Sequence, residues 1–113
     1  MPDVRGVDDV ESIDIDQLDE DDPFELDTQI AHLSKHPPFS VDDLYDVWNS
    51  NPRFYQCDPP ASLLMVAGVA GRVIVVPITF ANSGDRAKCR PIGIFEAGRD
   101  LSERYRSDER NTR

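Results

Sequence analysis

The chain has 113 residues, of which 22 are acidic and 12 are basic, and its formal net charge is −10. This length suits one domain, because it is too short for two independent hydrophobic cores. No apolar run approaches the roughly 18 residues of a membrane span, and no basic start leads into an apolar signal region. The two cysteines, Cys57 and Cys89, fit neither a disulfide framework nor a four-ligand metal site. These features predict a protein of the reducing cytoplasm that does not bind a membrane.

Nearly all of the negative charge lies in the first residues of the chain. Residues 1–22 hold ten acids and one base, whereas residues 23–113 hold 12 acids and 11 bases. From Arg86 onward, eight bases stand against five acids, so this last part of the chain is basic. Like charges repel one another, and few apolar residues accompany them here. We therefore predict that residues 1–22 form a disordered acidic arm, which is either a solubilising tail or a cover for a basic surface.

The next part of the chain predicts a strand and two helices. Residues 24–27 alternate apolar and acidic side chains, as a short half-buried strand does. Asp27 or Thr28 can cap a helix that ends before Pro37. Ser40 can cap a second helix. The apolar residues of that helix recur at i, i+3, i+4 and i+7 and therefore share one face: Val41, Leu44, Tyr45 and Trp48.

The second half of the chain predicts an antiparallel sheet. Apolar and β-branched residues predict strands at 53–56, 63–67, 72–80 and 88–95. The turn at 68–71 joins two of these strands in a hairpin. Pro77 has no N–H to donate, so it marks a bulge, an edge position or the end of regular pairing.

A last helix completes the predicted domain. It presents Ala97, Leu101 and Tyr105 to the sheet, at i, i+4 and i+8. The fold class is therefore α+β: a small antiparallel sheet whose one face is covered by two N-terminal helices and one C-terminal helix. We place this domain at 23–106, after the acidic arm and before a flexible tail at 107–113.

Several motifs in this order resemble the BrnT family of toxins from type II toxin–antitoxin systems. The resemblance covers residues 24–106. In the first half it comprises an opening strand that ends in Asp, a Lys-His pair after the first helix, and an acidic pair and an aromatic residue in the second helix. In the second half it comprises a Gly-Arg before a long strand and an Arg-x-Ile strand that leads into a helix. The matching residues are Phe24-Glu25-Leu26-Asp27, Lys35-His36, Ser40-Val41-Asp42-Asp43, Trp48, Gly71-Arg72, Arg90-Pro91-Ile92, Ala97, Glu103 and Tyr105.

The resemblance implies a RelE-like fold and a ribonuclease that needs no metal and inhibits translation. It also implies a partner, a DNA-binding antitoxin similar to BrnA, with which the protein forms a hetero-oligomer. The sequence departs from the family pattern at two places. Ala61-Ser62 stands where the family usually has Glu-Arg, and Phe95 stands where it often has a second Arg.

RNA cleavage without a metal requires activation of the 2′-hydroxyl, stabilisation of the charge on the phosphorane and protonation of the leaving 5′-oxygen. Arginine suits the charge, because its planar guanidinium matches phosphate and stays protonated. We predict Arg90 as the central cation and Lys35 and His36 as further catalytic residues, since a histidine can exchange protons near neutral pH. His32 and His36 lie four residues apart, but no third ligand is evident, so we expect no metal and no other cofactor.

Four further arginines are candidates for binding RNA phosphates: Arg53, Arg72, Arg99 and Arg104. Arg53 and Arg72 could join Arg90 in one cluster. Each of these side chains has an ordinary structural alternative, such as a turn charge, a helix-terminal charge or an ion pair.

Two functions fit these residues. One is a ribonuclease toxin that an antitoxin neutralises; the other is a catalytically weakened binding module of the same fold that engages an antitoxin-like partner or nucleic acid. Ala61-Ser62 and Phe95 favour the second function. The residues that favour the first are Lys35, His36, Arg90 and Tyr105. A separate hypothesis is that the acidic arm folds over the face that carries Arg72 and Arg90, as a mimic of RNA.

Overall fold

The computed structural model of the chain describes residues 13–26 and 39–111, and these form a small α+β domain. A short 3-10 helix is followed by two α-helices and five strands. In chain order the elements are the 3-10 helix Ile15–Gln17, α1 Val41–Asn49, β1 Arg53–Gln56, β2 Leu63–Val69, β3 Arg72–Phe80, β4 Cys89–Pro91, β5 Phe95–Glu96 and α2 Arg99–Asn111. The helix predicted to follow Asp27, together with Lys35 and His36, lies outside the described residues.

The five strands form one antiparallel sheet in the order β1-β2-β3-β4, and β5 also pairs with β3. The hairpin of β2 and β3 is its centre, with a register that runs from Leu63 opposite Ile78 to Val69 opposite Arg72. The predicted hairpin is therefore confirmed, with strands that continue to Val69 and a turn of only two residues.

Pro77 lies at an interruption of the sheet, in agreement with its predicted role. β4 ends with Pro91 opposite Ile78, and β5 begins with Phe95 opposite Val75. Between these pairs, the carbonyl of Pro77 accepts a hydrogen bond of 2.9 Å from the N–H of Ile92. In an antiparallel strand the nitrogen of a residue points to the same side as its carbonyl. The nitrogen of Pro77 thus faces a break where no ladder bond is needed.

Both faces of the sheet are buried, which differs from the expectation of helices on one face only. On the first face, Met65 and Val76 pack under α1. On the second face, Val66 and Val75 pack under α2 through Tyr105. The physical reason is the sequence of the hairpin: its consecutive apolar residues supply an apolar row to each face, and each row has to be covered.

The segment 13–26 packs against the domain, so the prediction of a disordered arm is wrong for residues 13–22. Ile13 and Leu18 are buried in the same core cluster as α1, and Leu18 is only 5% exposed. The N–H of Asp19 donates to the carbonyl of Ala87 at 2.9 Å. The indole N–H of Trp48 donates to the carbonyl of Glu20, also at 2.9 Å. The apolar residues of this segment therefore outweigh the repulsion between its charges.

The end of this segment joins the sheet as an additional extended piece. Phe24 forms a parallel bridge with Cys89, and its ring packs edge-to-face against Tyr45 and Trp48. Of the strand predicted at 24–27, the structure describes residues 24–26, and among these Phe24 is bridged at the outer edge of β4. Asp22 accepts a hydrogen bond of 2.7 Å from the Tyr45 hydroxyl and lies 3.4 Å from the ammonium of Lys88. These contacts tie the acidic segment to both α1 and β4.

The C-terminal helix is longer than predicted. α2 continues through Asn111, so residues 107–111 are helical and not part of a flexible tail. Its last turns contact β1, as described below. Within residues 13–26 and 39–111, no helix has the length and hydropathy needed to cross a membrane.

We expect Leu18→Ala to lower the free energy of unfolding by about 2 kcal/mol, because it removes a buried side chain from a segment that can partly relax. Urea unfolding followed through the fluorescence of Trp48 measures this loss. Gln17→Ala changes the exposed neighbouring residue and serves as the control. Equal stability of the two variants would show that residues 13–22 do not pack in solution.

The hairpin turn generates a second prediction. Ala70 and Gly71 have φ values of 53° and 81°, the left-handed conformation that a type I′ turn requires at both positions. Alanine is unfavourable there, whereas asparagine tolerates it. We therefore expect Ala70→Asn to raise the free energy of unfolding by about 1 kcal/mol and Gly71→Ala to lower it by about 1 kcal/mol. Thermal unfolding of both variants measures these opposite effects, and shifts of the same sign would contradict the assigned turn.

Candidate nucleic-acid interface

Arg90 lies on β4, at the end of the strand order β1-β2-β3-β4. It pairs directly with Thr79 on β3, so both side chains lie on the second face, the one that carries α2. The hydroxyls of Thr79 and Ser62 lie 3.4 Å apart. Thr79 and Arg90 are both half-buried, and the Nε of Arg90 is buried. A short polar strip of Ser62, Thr79 and Arg90 therefore crosses the second face of the sheet at this end.

Glu25 flanks this strip from the edge of the sheet. Its N–H donates to the carbonyl of Cys89, the residue before Arg90. Its carboxylate accepts hydrogen bonds from the backbone N–H groups of Asn82 and Ser83. Hydrogen bonding by Ser83 and Asn82 lowers the pKa of Glu25, and the charge of Arg90 lowers it further. Glu25 thus fixes the turn at 82–84 and holds a negative charge near Arg90.

Phe95 adds an exposed aromatic ring to the same face. It lies on β5 opposite Val75 and is 46% exposed. Sequence reasoning treated this position only as the place of a missing arginine. Its partner Val75 is four residues from Thr79, the partner of Arg90, which is about 13 Å along an extended strand. An exposed ring on the same face as a cation can stack on a nucleic-acid base, which is the usual way in which single-stranded RNA is held. The aromatic residue itself is visible in the sequence, three positions after Ile92. Its exposure could not be predicted, because the exposure of the ring depends on the register of β5.

Arg53, on β1, is held by contacts with the end of α2. Its Nε lies 2.6 Å from the carboxylate of Glu109, and its terminal NH2 donates to the carbonyl of Asp108 at 3.0 Å. Next to it, the hydroxyl of Tyr55 donates to the carboxylate of Asp108 at 2.7 Å. These bonds attach the last turns of α2 to β1. We define Arg53, Tyr55, Asp108 and Glu109 as the β1–α2 clamp.

Arg104 belongs to the surroundings of the clamp. Its guanidinium lies 4.6 Å from the centroid of the Tyr55 ring, a cation–π distance, and 4.0 Å from the carboxylate of Asp108. Its side chain is nevertheless mostly exposed. Arg104 therefore can contact a phosphate without leaving the helix, whereas Arg53 would have to break its ion pair. Arg99, the first residue of α2, is exposed.

Arg72 lies at the opposite end of the sheet from Arg90 and on its other face. It opens β3 opposite Val69, seven residues before the Thr79 that faces Arg90, a separation of about 23 Å along an extended strand. The odd number of residues also places the two side chains on opposite faces. Arg72 contacts Glu96 at 3.8 Å and lies 5.6 Å from the ring of Phe39. The structure therefore does not bring Arg53, Arg72 and Arg90 into one cluster.

The acidic segment does not lie over Arg90. Residues 13–22 pack with α1 on the first face, whereas Arg90 is on the second. The hypothesis placed the arm over one face that carries both Arg72 and Arg90. Because these two arginines lie on opposite faces, it is wrong for Arg90 and residues 13–22. Among residues 13–26 and 39–111, no three His, Cys, Asp or Glu side chains form a group that could hold a metal ion.

Comparison of the chain with protein-family models, with curated proteins and with solved structures finds no match.

Two tyrosines in these contacts generate a pH prediction. Burial is the main reason that the pKa values of Tyr55 and Tyr45 are raised to about 12. A hydrogen bond to a carboxylate raises them as well; the carboxylate belongs to Asp108 for Tyr55 and to Asp22 for Tyr45. A pKa raised on folding means that the protonated phenol stabilises the folded state. This stabilisation is complete below the ordinary pKa of 10 and is lost as the pH rises from about 10 to about 12.

We therefore expect the free energy of unfolding to fall steeply across this alkaline range. Tyr55→Phe should be less stable than the natural chain by about 1 kcal/mol at neutral pH, because it loses one hydrogen bond. It should also lose less stability on going to alkaline pH. Urea unfolding at several pH values gives both quantities, and parallel pH curves for the two proteins would contradict the assignment.

Proposed function

We propose that this chain is the toxin component of a type II toxin–antitoxin system, similar to BrnT and with a RelE-like fold, and that it acts on RNA in the cytoplasm. The observation that carries the proposal is that Arg90 and the exposed ring of Phe95 lie on the second face, along the same edge of β3. A cation for phosphate and an aromatic for a base are the two groups that hold single-stranded RNA. The order of α1, an antiparallel sheet and a final helix is also the order that the resemblance to BrnT implies.

In the proposed reaction, the 2′-hydroxyl of RNA attacks the adjacent phosphate and the 5′-oxygen leaves. Arg90 stabilises the negative charge that develops on the phosphate oxygens, because a guanidinium offers two parallel N–H donors in a fixed plane. Phe95 orients a neighbouring base by stacking. Lys35 and His36, the further catalytic residues predicted from the sequence, are the proposed groups for phosphate neutralisation and proton transfer. The DNA-binding antitoxin is the proposed partner, in a hetero-oligomer.

A second candidate function is supported by the distribution of the arginines. Arg53 is part of the β1–α2 clamp, and Arg72 lies at the far end of the other face. Of the three cations expected around the phosphate, Arg53 and Arg72 therefore lie away from Arg90. This arrangement favours a binding module that retains the fold and engages the antitoxin or RNA without cleaving it.

We expect the purified protein to cleave a structured RNA in the presence of EDTA, because the proposed reaction uses no metal. Arg90→Ala should abolish cleavage, with a loss of at least about 100-fold in rate if Arg90 stabilises the transition state. Phe95→Ala should mainly weaken RNA binding. Arg86→Ala removes the same charge from an exposed turn and is the matched control.

Fragments separated on a gel measure cleavage, and fluorescence anisotropy of a labelled RNA measures binding in the same samples. Cleavage that persists in Arg90→Ala would contradict the assigned site. RNA binding without cleavage, weakened by Arg90→Ala but not by Arg86→Ala, would establish the second candidate function instead.

A further inference from the structure

We infer that a groove on the first face, between the acidic segment and the end of α1, is a docking site for a basic amphipathic peptide segment of a partner protein. This inference does not depend on the proposed action on RNA, since the groove and Arg90 lie on opposite faces of the sheet. It is carried by the shape and lining of the groove and by the charge around it.

The groove has a volume of about 560 Å³ and is lined by seven residues, four of which are apolar. Ile15 comes from the 3-10 helix, Trp48 from α1, and Phe54 from β1. All three are half-buried, and each packs against the core on its inner side. Pro52 completes the apolar wall. The floor is thus anchored in the core, whereas its outer surface stays accessible.

The geometry of Trp48 is fixed before any partner binds. Its indole N–H donates to the carbonyl of Glu20 at 2.9 Å, and the ring of Phe24 packs against it edge-to-face. The polar atom of the indole is therefore already satisfied, which leaves apolar surface for the groove. A preformed apolar surface binds with a smaller entropic cost than one that must be ordered by the ligand.

The surroundings of the groove are strongly acidic. Residues 13–26 hold seven acids and residues 39–50 hold three, and neither stretch contains a Lys or Arg. Most of these carboxylates are exposed. The acids are Asp14, Asp16, Asp19, Glu20, Asp21, Asp22, Glu25, Asp42, Asp43 and Asp46.

Glu20 lines the groove itself, so a carboxylate stands beside the apolar wall. A ligand with apolar residues on one side and Lys or Arg residues on the other matches this combination. Its apolar side chains would cover Ile15, Trp48 and Phe54, while its cations would face the acids at the rim. Residues 1–12 of this chain are a poorer match, because they hold four acids and one base.

Binding can be followed with the full chain through Trp48, its only tryptophan. The probe is a short synthetic peptide of Leu and Lys without aromatic residues. Two further peptides of equal length separate the contributions: an oligolysine, and the first peptide with Glu in place of Lys. We expect saturable binding of the Leu-Lys peptide with a shift of the Trp48 emission to shorter wavelength. Binding of oligolysine should be at least about fivefold weaker, because it cannot cover the apolar wall, and the Glu peptide should not bind.

Matched variants test whether the groove itself is the site. Asn49 and Asn111 are the last residues of α1 and α2, both are exposed, and only Asn49 lines the groove. Asn49→Lys and Asn111→Lys change the net charge equally, and a Lys at a helix C-terminus is well tolerated. We expect Asn49→Lys to weaken peptide binding by about fivefold, the upper range for one exposed charge pair, and Asn111→Lys to leave it unchanged.

An equal effect of both substitutions would overturn the proposal, since it would mean that the peptide responds only to net charge. Equal binding of the Leu-Lys peptide and oligolysine, or the absence of binding, would overturn it as well. An emission that shifts with protein concentration, without any peptide, would assign the groove to a second copy of the chain instead.

Discussion

Met65 pairs with Val76 on one face of the central hairpin, Val66 pairs with Val75 on the other, and all four side chains are fully buried. An antiparallel sheet commonly leaves one face in water, but these two strands carry an apolar row on each face. Both rows need a cover, and the chain supplies a different one to each. The acidic segment and α1 cover the first face, while α2 covers the second. Since Tyr105 is the one buried residue of α2, the polar attachment of this helix to β1 through the clamp contributes to keeping it in place.

The elements whose signals are local could be predicted from the sequence. The apolar spacing of α1 and the β-branched run of β3 each act within a few residues, and the structure contains both. The packing of residues 13–22 against the domain could not be predicted from their charge. Ile13 and Leu18 are too few to form a core of their own, but they join a core that α1 and the sheet already build. The mean charge of a segment therefore does not predict the free energy that two of its apolar side chains contribute when they are buried against residues distant in sequence.

The candidate site depended on register, which sequence patterns specify poorly. Side chains alternate between faces along a strand, so a shift of one residue exchanges the two faces. Only the observed pairing shows that Arg90 lies opposite Thr79 and that Arg72 points to the other face. The same pairing shows that Phe95 is exposed on the side of Arg90, and that Glu25 approaches from the far edge. The residue types were visible in the sequence, but which of these residues share a face is determined by the strand pairing of the sheet.

The two faces of the sheet differ in charge, and this difference has a consequence for both proposed interfaces. The cover of the first face carries acids without Lys or Arg, whereas α2 on the second face carries arginines together with acids. At physiological ionic strength, charges in water are screened over about 8 Å, which is less than the thickness of a sheet with a helical layer on each face. A phosphate backbone that approaches the first face meets the carboxylates of this cover at short range. One that approaches Arg90 meets a cation with the carboxylate of Glu25 near it. The acidic cover therefore can direct RNA to the second face and at the same time attract a cationic peptide to the first. Because a rigid sheet separates the two surfaces, occupation of one leaves the other sterically open, and a partner on the first face can hold the protein without competing for the groups around Arg90.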